Sequence, residues 1–274
     1  MHGIFKFIAT MKNTLEKPTA AGYAPVNGIQ MYYETYGEGE IPLVLIHGGG
    51  STMHTSFGAF IPLIKDYGKL IAVDLQAHGR TSDRNAPESF EQDADDVAAL
   101  LKYLGIKKAN IFGFSNGGTT TLQIAIRHPE LVHKIINLAG SSKLSGFPEG
   151  FFEGFDNATI DNMPAPYHQA FLEVTPDQKL LQNMFEKDRD RMKNFKDIPD
   201  EMISSIKAEA LIMVNDKDVV PIEHAAELAR LIPNAHVAVF PGVHGQCIGE
   251  VFFAKPGSKI PEATAEVVLE FLRD

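Results

Sequence analysis

Six short apolar runs without polar alternation constrain this chain more than any other feature. They lie at residues 42–46, 69–73, 109–114, 134–138, 210–214 and 236–240. A strand with one wet face alternates apolar and polar side chains. A run that does not alternate suits a strand covered on both faces, as in a parallel sheet packed between helix layers. Helical patterns fill the gaps. Ser89 is placed to cap a helix whose apolar face is Phe90, Ala94, Val97, Ala98, Leu101 and Leu104, with acids in its first turns. Residues 117–127, 223–231 and 262–272 continue the series. Strand–helix alternation predicts an α/β fold with a doubly wound, mostly parallel sheet. Upstream, Asn27-Gly28 separates two strand-like runs, the second alternating through Ile29, Met31 and Tyr33, which reads as a hairpin.

One stretch breaks the alternation. Between Leu138 and Ala210 no apolar strand run occurs, and helices are expected near 149–157, 165–174 and 177–195. An insertion of about seventy residues is well beyond an ordinary connection and marks a functional element. Its run Glu186-Lys187-Asp188-Arg189-Asp190-Arg191 reads as a solvated helix face rather than a substrate clamp.

Composition narrows the partners. A net charge of −10 argues against nucleic acid or an anionic membrane surface. No apolar run approaches the roughly 18 residues needed to cross a bilayer. Residues 1–10 form a poor signal peptide, interrupted by Lys6, so cytoplasmic residence is the expectation, with Met11 a possible alternative start. The single cysteine, Cys247, excludes an intramolecular disulfide and reads as an ordinary buried thiol.

The chemistry sits at the ends of the strands. Gly113-Phe114-Ser115-Asn116-Gly117 fits G-x-S-x-G between a strand and a helix. The serine turn is tight enough to exclude bulky residues two before and two after it. It lifts the hydroxyl above the sheet, beside the positive end of the next helix. His47-Gly48-Gly49-Gly50 follows an earlier strand. An oxyanion needs two converging N–H donors, for which the Asn116 amide and the Gly49 amide are chosen, with Gly48 the alternative. His47 is expected to bond within its own loop. A serine hydroxyl needs a base. Of ten histidines, His244 in Pro241-Gly242-Val243-His244-Gly245 stands just past the last strand, where a loop can lean over the carboxyl edge. The base needs a carboxylate, and Asp218 is favoured over Asp216. Asp74 is expected to organise the loop from Gln76 to Arg80, while His54 and His78 stand near the same edge as pocket residues.

With these pieces in the order Ser115, Asp218, His244, the sequence resembles the α/β-hydrolase superfamily from about Tyr23 onward, and most of all its small bacterial esterase-like members with a helical cap. The family's acid usually stands fourth in G-x-x-D; here Asn215 takes the glycine position and Asp218 the acid's. The resemblance implies an N-terminal extension at 1–22, a hydrolase core at 23–140 and 208–274, and a cap at 141–207. It implies a cofactor-free and metal-free mechanism with an acyl-enzyme on Ser115. Phe147, Phe151 and Phe152 of the cap, with Gly48 and His54, would bind a small-molecule ester of apolar character. C–C bond hydrolase, lactonase, aminopeptidase and perhydrolase chemistry are the alternatives on this scaffold. A non-catalytic ligand-binding protein is the alternative of another class.

Overall fold

The computed structural model describes residues 15–273. The extension and leader expectations for residues 1–14 therefore lie outside the described residues. The first strand, β1 (Ala20–Val26), begins inside the expected extension. It pairs with β2 (Ile29–Tyr36) through the Asn27-Gly28 turn, both residues at positive φ (43° and 86°), as a two-residue hairpin requires.

All six apolar runs lie within or overlap strands: β3 (Leu43–Ile46), β4 (Leu70–Val73), β5 (Ala109–Phe114), β6 (Val132–Leu138), β7 (Glu209–Lys217) and β8 (Ala235–Val243). The eight-stranded sheet has the order β1-β2-β4-β3-β5-β6-β7-β8, parallel except at β1–β2 and β2–β4. Side chains alternate between two apolar layers. Val44, Ile46, Ile111 and Ile212 face one, with Val97, Leu101, Leu122 and Leu228 packed against them. Leu43, Leu45, Phe112 and Met213 face the other, with Phe57, Ile61 and Val268. Helix layers on both faces explain why the strand sequences do not alternate.

Helices cover both faces. Short α1 (Met53–Phe57) and α2 (Ile61–Ile64) follow β3 and carry no periodic signal in the sequence. α3 (Phe90–Tyr103) starts at Ser89, whose hydroxyl accepts from the Gln92 amide, a cap contributing about 1 kcal/mol. α4 (Asn116–Arg127) follows β5, and α9 (Ile260–Phe271) closes the chain.

Between β6 and β7 the chain leaves the sheet and forms α5 (Ala165–Val174), α6 (Gln178–Lys193) and the short α7 (Asp200–Ser204). The helix expected at 149–157 is absent; only a 3-10 turn at Glu153–Phe155 forms. Gly150 stands at φ 79°, left-handed, and Phe147, Phe151, Phe152 and Phe155 pack ring against ring instead of following a helical stripe. After β7, α8 (Ile222–Leu231) returns the chain to β8.

Candidate active site

The site is built at the carboxyl ends of β3, β5, β7 and β8. Ser115 follows β5 at φ 56°, ψ −119°, a region an L-residue enters at a cost of about 1–3 kcal/mol. The neighbouring glycines make the turn possible. A Cβ on Gly113 would overlap the Gly117 carbonyl and the Thr121 hydroxyl, and one on Gly117 would overlap the carbonyls of Ile46 and His47. The strand end, the helix start and the β3 loop thus share one space that only backbone can occupy.

His244 lies just past β8 and spans the gap. Its Nε2 stands 3.0 Å from Ser115 Oγ, and its Nδ1 stands 2.6 Å from Asp218 Oδ1. With the proton on Nδ1, the ring donates to Asp218 and accepts from the serine hydroxyl. Phe114 and Phe253 pack against the imidazole with centroids 4.7 and 6.0 Å away. The Asp218 side chain is fully buried and takes the amides of Val220 and Asn215, each at 3.4 Å. Asp216 instead accepts the Gly242 amide at 2.7 Å, on the exposed side of the same bend. Of the two acids, the structure brings only Asp218 to the imidazole.

Gly48 and Gly49 differ in what their amides do. The Gly48 N–H donates to Ser56 Oγ at 3.2 Å. The amides of Gly49 and Asn116 donate to no protein group among the described residues. Both residues line a cavity of about 380 Å³ that also contains Ser115 and His244. His47 is buried behind this loop. Its Nδ1 donates to the Gly48 carbonyl (2.7 Å) while Nε2 accepts the Leu75 amide (3.0 Å). Burial, reinforced by neighbouring His78, lowers its pKa to about 3, which keeps the ring neutral. Asp74 accepts the amides of Met53 and Arg80, which fixes the loop after β4.

Phe147 and Phe151 line the cavity, stacked at 4.5 Å, together with Phe155, Tyr167 and Met192 from the inserted segment. Two expected pocket residues stand elsewhere. Phe152 packs behind Phe147 and Phe151, edge-on to both, and lines no part of the cavity. His54 turns away and pairs with Glu34 at 2.8 Å. That carboxyl is buried, yet hydrogen bonds from His54, Tyr36 and Tyr32 hold it at about 2. His78 is also withdrawn, fully buried with its Nδ1 on the Gln76 carbonyl. Cys247 is buried too, and burial with the nearby Asp218 charge pushes its thiol well above the usual range.

Sequence reasoning missed Asp188, Tyr167, Phe252 and Phe253, all of which line the cavity. The pair Phe252-Phe253 so soon after His244 was a readable signal. Asp188 was not, because it stands in a run of charges. Contrary to the solvated-face expectation, Arg191 is buried and Asp188 is mostly covered: Arg191 pairs with Asp188 and, at 2.6 Å, with Asp93. A larger cavity, about 760 Å³, opens on the far side of Arg191 and touches none of Ser115, His244 or Asp218. Among the described residues, no group of three or more His, Cys, Asp or Glu is arranged to hold a metal ion.

Sheet order, elbow and strand-edge cluster define an α/β hydrolase. The family model described as the alpha/beta hydrolase fold matches residues 41–197, and the chain belongs to that family. It is 28% identical over 231 residues to the serine hydrolase BPHL of Homo sapiens, covering 79% of this chain and 77% of that protein. A serine hydrolase involved in carbazole degradation, the CarC enzyme, superposes with a TM-score of 0.75 at 22% identity, over 92% of this chain and 98% of its own. The carboxylesterase CesB of Bacillus subtilis superposes with a TM-score of 0.73 at 18% identity, over 98% and 97%. Among the described residues no helix is long and apolar enough to cross a membrane.

Proposed function

We propose that the chain is a serine hydrolase that cleaves carboxylic esters of small to medium, largely apolar substrates through an acyl-enzyme. One observation carries the reading: His244 bridges Ser115 and Asp218 at 3.0 and 2.6 Å, in the wall of an aromatic cavity. In this reading Ser115 Oγ attacks the ester carbonyl while His244 Nε2 takes its proton. Asp218 holds the imidazole in the Nδ1–H tautomer and stabilises its cation. The Gly49 and Asn116 amides receive the oxyanion, each contributing on the order of 3 kcal/mol in the transition state. His244 then returns the proton to the leaving alcohol, and later activates the water that releases the acid. The segment 141–207 acts as a cap, and Phe147, Phe151 and Phe155 shape the space for the substrate. A cavity of this size, mostly apolar with a few polar groups converging on the nucleophile, suits a small-molecule substrate.

Replacing Ser115 with Ala tests this directly. Turnover of p-nitrophenyl butyrate should fall by about four orders of magnitude or more, with the circular dichroism spectrum and melting unchanged. A fluorophosphonate should label the wild type and leave the variant unlabelled. Undiminished hydrolysis, or a well-folded wild type that takes no label, would remove the reading.

A further inference from the structure

The cavity wall holds one charged side chain that the hydrolytic steps do not use. Asp188 reaches down from α6 and stands against the two residues whose amides face the cavity. Its Oδ1 accepts from Asn116 Nδ2 at 3.1 Å and from Arg191. Its Oδ2 lies against the Gly49 backbone and accepts from no group among the described residues. The side chain keeps 15% of its surface, and it lines the cavity.

Arg191 is the guanidinium nearest Asp188, and it is shared with Asp93 at 2.6 Å and Glu88 at 3.7 Å. Burial works against an ionised Asp188, but the Arg191 charge outweighs it and holds the carboxyl below its usual range. Among the described residues no Lys or Arg lines the cavity; its other walls are chiefly Phe, Tyr, Met, Val, Pro and backbone. A fixed carboxylate beside the amides that would receive an oxyanion opposes the negative charge of the transition state. That opposition disappears when a cation lies between them. Aromatic faces around a single carboxylate form a site for an ammonium group.

We infer that Asp188 is a specificity-determining residue that selects substrates carrying an ammonium group on the carbon α or β to the reacting carbonyl. Oδ2 accepts an N–H from that group, and Phe and Tyr rings surround the rest. The contact with Gly49 and Asn116 sets the position, because a cation reaching Oδ2 cannot stand far from the oxyanion amides. The same wall disfavours substrates with a carboxylate at that position, since it offers them no cationic partner. The inference narrows the ester reading above and rests on it.

The test compares esters that differ only at the end of the acyl chain. β-Alanine benzyl ester and benzyl butyrate share chain length and shape, with an ammonium replacing a methyl; monobenzyl succinate places a carboxylate in the same region. With the amine protonated, wild-type kcat/KM should favour the ammonium ester over the butyrate by about tenfold or more. The succinate monoester should be the poorest of the three. Asp188→Asn keeps an acceptor for Arg191 and Asn116 and removes the charge, so the ammonium-to-methyl ratio should collapse towards one. A wild-type ratio of one or less overturns the inference without any variant, and so does a ratio that survives Asp188→Asn. Turnover of benzyl butyrate without ammonium preference leaves the ester reading standing while this inference falls. Turnover of none of the three esters removes both.

Discussion

The floor and the roof of the cavity are held by different physics. The floor is backbone. Ser115, Gly49 and Asn116 are fixed by strand ends and by glycines that admit no side chain, with Gly117 pressed against the β3 carbonyls. The roof, from Phe147 to Met192, is held by side chains. Phenylalanine rings pack edge to face, and Arg191 of α6 reaches into the sheet domain to meet Asp93 of α3. Steric exclusion leaves the floor one arrangement, whereas rings and charges can exchange partners. The chemistry can therefore stay constant while the roof changes which molecule is admitted.

The sharpest break of this comparison lies in the floor. Asp218→Asn should leave the fold intact and cut kcat by about 10⁴-fold, because the imidazole loses the carboxylate that fixes its tautomer. Asp216→Asn removes only an exposed bond to the Gly242 amide and should cost far less. Steady-state ester hydrolysis by both variants decides, and the reverse ranking would move the acid to Asp216.

In the roof, Arg191→Met leaves Asp188, Asp93 and Glu88 without their shared cation. Urea unfolding should show a loss of about 3–5 kcal/mol, the cost of breaking a buried pair from one side. A change below about 1 kcal/mol would mean that the rings alone hold the roof.

A third effect is pH-dependent. Burial pushes Glu250 up to about 7, with the Tyr167 hydroxyl and the Phe252 and Phe253 amides opposing it. It also pushes Asp93 to about 7 and Glu88 to about 8, against the pull of Arg191. A carboxyl that ionises less readily folded than unfolded adds stability at low pH, fully present below its unfolded pKa of about 4. That contribution is lost as pH rises through about 7–8. Thermal unfolding from pH 5 to 8 should show this decline, and Glu250→Gln should remove a share on the order of 3 kcal/mol. An unchanged slope in that variant would place the decline on the Arg191 cluster alone.

The smallest effect falls outside both regions. His54→Ala removes one donor to the buried Glu34 carboxylate and should cost about 1.5–3 kcal/mol of stability, with ester turnover preserved. A large drop in turnover of the folded variant would return His54 to substrate binding.

The sequence by itself determined the sheet, the hairpin and the elbow. Each rests on a requirement satisfied within a few neighbouring residues: an apolar run, the Asn27-Gly28 turn, or glycines where a Cβ has no room. The helix expected at 149–157 failed because ring packing from other parts of the chain outweighed local pattern. Tertiary structure alone decided that Asp218 rather than Asp216 meets His244, that His54 turns to Glu34, and that within a charged run Arg191 is buried and Asp188 turns to the cavity. Whether a charge is solvated or buried depends on which opposite charges other elements bring to it. Asp93 and Glu88 stand about a hundred residues away from Arg191 in sequence, a distance no local pattern spans.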